Sequence, residues 1–148
     1  MSSTGVAALL ALAAGFGGAV QIAVQGRLGD RVGSLEAVAT ASLIGGVFAL
    51  TVLALARRSL AGVGDALASP KWMLLGGVMS AFIILAITVA GPRIGIVATT
   101  AVLIAAQFTL ATVIDRQGWF GVERIAIQWP RLLGIGLLFV GAALVLRR

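Results

Sequence analysis

At 148 residues, 60% of them hydrophobic and 11% charged, with a mean hydropathy of +1.12, the chain has the composition of one integral membrane domain rather than a soluble one. Its net charge of +6 does not point to nucleic acid, because the arginines stand between apolar runs, where they flank membrane crossings and meet lipid headgroups. Cysteine and histidine are absent, which removes disulfides, thiol nucleophiles and the usual transition-metal ligands, so no cofactor or metal is expected.

Runs of about 20 apolar residues, each long enough to cross about 30 Å of hydrocarbon, predict an all-α membrane protein with five transmembrane helices. The first, residues 5–25, has small residues at Ala13, Ala14 and Gly15 like a signal peptide, but no Lys or Arg precedes Val24, so it is read as a membrane helix. Gln21 and Gln25 lie i and i+4 on it and project from one face. Lipid offers that face nothing to hydrogen-bond, so both amides are expected to meet protein, water or a ligand. The following QGRLGDRVGS, with Gly26, Gly29 and Gly33 as breakers and Arg27, Asp30 and Arg31 hydrated, reads as a short turn into an antiparallel neighbour.

Helix two, residues 35–56, starts after Ser34 with Glu36 in its first turn and closes at Arg57 and Arg58. The loop RRSLAGVGDALASPKW carries Leu60, Val63 and Leu67, which fits a short helix lying in the membrane interface. Helix three, residues 71–90, follows Pro70, with Trp72 as an interfacial anchor and a small-residue patch at Gly76, Gly77 and Ser80. GPRIG, residues 91–95, reads as a tight hairpin turn. Helix four, residues 94–114, carries Thr99, Thr100 and Gln107 and ends at Asp115. Trp119, Phe120 and Trp129 in the polar stretch that follows suit a headgroup-level layer. Helix five, residues 130–146, ends in Arg147 and Arg148, and an odd number of crossings places the termini on opposite sides.

Lys and Arg in the short loops set orientation. The side of the N-terminus has six (Arg57, Arg58, Lys71, Arg116, Arg124, Arg131) and the other five (Arg27, Arg31, Arg93, Arg147, Arg148). So even a count predicts insertion both ways and an antiparallel pair of copies, unless one strong loop decides. In such a pair Gln21 and Gln25 of one copy reach the leaflet of Gln107 of the other, with Arg27 and Asp115 near the rim as a candidate ion pair or coupling site.

The glutamine motif of helix one with its following glycine and Leu28-Gly29, the GPRIG hairpin, the Gln107-to-Asp115 helix end followed by GWFG, and the closing RLLG helix together resemble the small five-helix drug/metabolite transporter family called YdcZ-like or DUF606. The resemblance covers essentially the whole chain; where that family carries asparagine this chain has Gln25. It implies an inner-membrane, multi-pass protein equivalent to half of a ten-helix transporter built from two inverted repeats, working as an inverted pair. It does not supply a substrate.

Polar groups in lipid mark transport paths, and inverted-repeat transporters bind near the midplane. Gln21, Gln25, Thr99, Thr100 and Gln107 are therefore the candidate substrate site; alternatively they only tie helices together. Gly15, Gly18, Gly76 and Gly77 are read as helix-packing positions. Asp, Glu and Lys are absent from the interiors of the predicted helices, which suits a neutral or weakly charged metabolite better than a strong cation. A transporter of a small organic molecule is the expected function, with a non-transporting accessory subunit as the alternative. Neither a nucleophile with its base nor paired carboxylates speak for an enzyme.

Overall fold

The first helix does not stop at Gln25. In a computed structural model that describes residues 3–147, α1 runs as Ser3–Val32, straight through Gly26 and Gly29. A membrane helix tolerates glycine where the residue's missing side chain lets another segment approach, and that is its use here. Arg148, counted above among the flanking arginines, lies outside the described residues.

The remaining helices are α2 (Ser34–Arg57), α3 (Ala61–Ala68), α4 (Leu75–Ile94), α5 (Ile96–Gln117) and α6 (Trp129–Leu146), with short 3-10 turns at Lys71–Leu74 and Trp119–Gly121. Five stretches are long and apolar enough to cross a membrane: Thr4–Val32, Ser34–Arg57, Lys71–Ile94, Ile96–Gln117 and Trp129–Leu146. Among the described residues there is no strand. α3 occupies the loop expected to hold a short helix, and Pro70 precedes the 3-10 turn that opens the third span.

Within GPRIG the break in the helical path is a single residue. α4 continues through Gly91, Pro92 and Arg93, and only Gly95 interrupts the helical path. Pro92, inside α4, leaves the Thr88 carbonyl without its intrahelical N–H. The breaks come at single glycines with positive φ: Gly33 at φ 100, ψ 147 before α2, and Gly95 at φ 87, ψ 159 before α5. That region of backbone space is close to glycine-only.

The chain divides into two units, Met1–Arg93 and Ile94–Arg148. In the first, α1 packs on α2, and α1 also meets α4 through its glycines. A Cβ built on Gly26 would lie 3.0 Å from Pro92 Cγ, and one on Gly91 would lie 2.9 Å from Ile22 Cγ2. One built on Gly29 would overlap the Thr88 methyl. Ile22, Gln25, Gly26, Ala37, Ile87, Thr88 and Gly91 are the buried residues of this unit. By contrast, a Cβ at Gly15, Gly18, Gly76 or Gly77 would meet nothing within 4 Å in the unit. The glycines at which α1 and α4 touch are therefore Gly26, Gly29 and Gly91, while Gly15, Gly18, Gly76 and Gly77 stay open within the unit.

In the second unit α5 packs along α6, and the buried residues are small: Ala98, Thr99, Ala105, Thr112 and Ala142. Ala98, Ala105 and Thr112 recur every seventh position, a stripe of one helix face. In both units the large apolar side chains are exposed, Leu10, Phe16, Leu55 and Phe82 among them, as suits helices whose outer surface is solvated by lipid.

Candidate functional site

A side chain that hydrogen-bonds its own helix needs nothing from its neighbours. Seven hydroxyls of the spans do this. Thr88 donates to the Ile84 carbonyl at 2.6 Å, Thr99 to Gly95 at 2.8 Å, Thr100 to Ile96 at 2.9 Å and Thr112 to Phe108 at 2.8 Å. Thr51, Ser80 and Thr109 likewise donate to the carbonyl four residues earlier. Thr99 and Thr100 have thus spent their protons locally and can only accept from a ligand.

A glutamine in a helix has no equivalent bond to its own backbone. Gln25 is 5% exposed, and its Nε2 is buried with no hydrogen-bond partner. It sits beside Gly26, whose bare α-carbon admits Pro92, so the backbone packing that closes this part of α1 also shuts water away from the amide. Leaving a buried donor unbonded costs about 1–3 kcal/mol. Gln21 and Gln107 are exposed on their helices, and neither amide bonds another described residue. Gln21 and Gln25 share a helix face only loosely: Gln25 belongs to the buried stripe with Ile22 and Gly26, whereas Gln21 stands at its edge. Gln107 falls at the middle of α5, close to the centre of a span.

Of the rim residues, Arg27 is exposed. Asp115 has a partner in its own chain: Arg131 NH2 donates to its Oδ2 at 2.5 Å, joining the last turns of α5 to the first turn of α6. The Asp115 carbonyl also accepts the backbone N–H of Ile125 at 2.9 Å. Sequence reasoning missed this bridge because nothing local relates residues sixteen apart across an irregular segment. Among the described residues no group of three or more His, Cys, Asp or Glu could hold a metal ion.

A span of apolar helices with unpaired amides fits many membrane proteins; the comparison of the whole chain decides among them. A protein-family model described as "Putative inner membrane exporter, YdcZ" matches residues 6–144. The chain belongs to the YdcZ family. It is a multi-pass inner-membrane protein, and its family is one of exporters. No curated protein and no solved structure matches the chain.

Proposed function

We propose that this YdcZ-family chain is a secondary transporter that carries a small, neutral or weakly charged organic molecule across the inner membrane. It does so as a homodimer of oppositely oriented copies that alternates access to a shared site lined by Gln21, Gln25 and Gln107. Thr99 and Thr100 contribute acceptors only, and Arg27 stands at the rim. The observation that carries this reading is the buried, unbonded amide of Gln25. A transporter keeps such a donor because a substrate hydrogen-bonds it, and the surrounding helix packing keeps water from competing.

Two further features favour a second copy as partner. The exposed amides of Gln21 and Gln107 would face lipid on an isolated chain, where a polar side chain is costly. The open glycines Gly15, Gly18, Gly76 and Gly77 leave room for the backbone of another helix to approach. The near-equal Lys and Arg count of the two sides supports insertion in both orientations.

A single cysteine placed after Arg148 tests the assembly, since the native chain has none. In sealed vesicles a membrane-impermeant maleimide should label about half of the molecules from each side. Labelling from one side only, together with no ligand that raises the melting temperature of the purified protein, would favour an accessory subunit that pairs with a different chain.

A further inference from the structure

The stretch between α5 and α6 folds back over the end of α5 and encloses an open pocket of about 690 Å³, lined by Arg116, Arg124, Ile125, Ala126, Ile127 and Leu132. That volume is in the range of small-molecule sites. Its construction follows from the sequence. Gly118 ends α5 in the left-handed conformation, φ 68, and its bare α-carbon lets Arg124 lie across the helix end, where a Cβ would come within 2.8 Å of Arg124 Cγ. Arg124 Nε then donates to the Gln117 carbonyl at 3.2 Å, a cation at the negative end of the helix. The Ile125 N–H bond to Asp115 draws the apolar residues that follow over the end of α5.

The charges of this pocket are not neutralised from within. Asp115, the nearest acid of α5, is engaged by Arg131, and Glu123 is exposed and outside the lining. Arg116 makes no hydrogen bond or ion pair with a described residue, and the terminal nitrogens of Arg124 make none either. Two guanidinium groups therefore share one pocket with an aliphatic wall. Both lie at or just beyond the ends of the spans Ile96–Gln117 and Trp129–Leu146, with Trp119 and Trp129 exposed beside them, as at the headgroup level of a bilayer.

From this geometry we infer that the pocket binds the headgroup of an anionic phospholipid, with its phosphate on Arg116 and Arg124 and the start of an acyl chain along Ile125, Ile127 and Leu132. Guanidinium groups recognise phosphate through paired, charge-assisted hydrogen bonds, and basic pockets at the membrane surface select anionic lipids. The aliphatic wall has no use for a free ion, and it distinguishes a lipid from inorganic phosphate.

The test is lipid retention by the purified full chain, measured by native mass spectrometry after exposure to equal amounts of phosphatidylglycerol and phosphatidylcholine. The native chain should retain phosphatidylglycerol preferentially. Arg116→Gln should weaken that retention about fivefold, and Arg116→Gln with Arg124→Gln about 30-fold. The pair Arg57→Gln and Arg58→Gln, at the end of α2, should leave it unchanged. The Arg116 side chain bonds no described residue, so its single variant reads the site without disturbing the fold. Equal retention of the two lipids, or a preference that survives the double substitution, would overturn the assignment. So would displacement of the lipid by inorganic phosphate that stabilises the protein equally well, which would make this a free-anion site. None of these readouts depends on transport.

Discussion

Arg131 and Asp115 are bonded at 2.5 Å although sixteen residues separate them, and between them the Ile125 N–H holds the Asp115 carbonyl. One acid thus fastens both the return of the chain and the start of α6. The two side chains are 31% and 25% exposed, so solvent screens the pair in part. Either Asp115→Asn or Arg131→Gln should lower stability in detergent by about 0.5–1 kcal/mol. The exchange Asp115→Arg with Arg131→Asp should recover part of the loss in a double-mutant cycle, whereas Asp115→Arg with Arg27→Asp should not. Recovery by the Arg27 exchange alone would instead make the contact between copies the governing one.

Gln25 should show stability and activity pulling apart. Gln25→Leu removes the unbonded donor at nearly constant volume and should raise the melting temperature, by an amount corresponding to about 1–2 kcal/mol. Ligand-dependent stabilisation and transport should be lost together. A variant that is less stable than the native chain would mean that Gln25 is bonded across an interface and serves as glue.

The glycines should fall into two classes. Gly29→Val and Gly26→Leu place atoms into space held by Thr88 and Pro92 and should cost about 1–3 kcal/mol, read from thermal unfolding. Gly15→Leu and Gly77→Leu meet nothing in the unit, so unfolding should be unaffected while cysteine cross-linking between copies falls. Equal destabilisation by all four would remove the distinction.

Much of this was legible beforehand. The five spans follow from apolar runs of bilayer length, and the short helix α3 from the apolar residues of its loop. The ends of the first and third spans were not. Gly26, Gly29, Gly91 and Pro92 break helices in water, but in α1 and α4 they remain helical because they are where these two helices touch. The true stops are Gly33 and Gly95, and a signal for them was present: Arg31-Val32-Gly33 and Arg93-Ile94-Gly95 are the same corner written twice. Of the candidate site, the glutamines stood out by chemistry alone. Thr99 and Thr100 bond their own helix, as a threonine within a helix readily does.

Gly118 tests the surface pocket from the backbone side. Gly118→Ala must hold a side chain at φ 68 with Arg124 in contact, which should cost about 1–2 kcal/mol and release the arginine from the Gln117 carbonyl. Thermal unfolding reads the first effect. Weaker retention of phosphatidylglycerol, without change in Arg116, reads the second.

The contacts of Ile22 with Gly91, Gly26 with Pro92 and Gly29 with Thr88 join α1 to α4 with a bare glycine α-carbon on one side of each. A glycine α-carbon and a proline ring have no rotamer to surrender, so at these contacts only the Ile22 and Thr88 side chains can adjust. Gln25 is buried within this joint, so a ligand that reaches its amide must part α1 from α4 there. A pair of spin labels set just outside the joint, at Arg27 and Arg93, would report that opening as a change of separation when ligand is added.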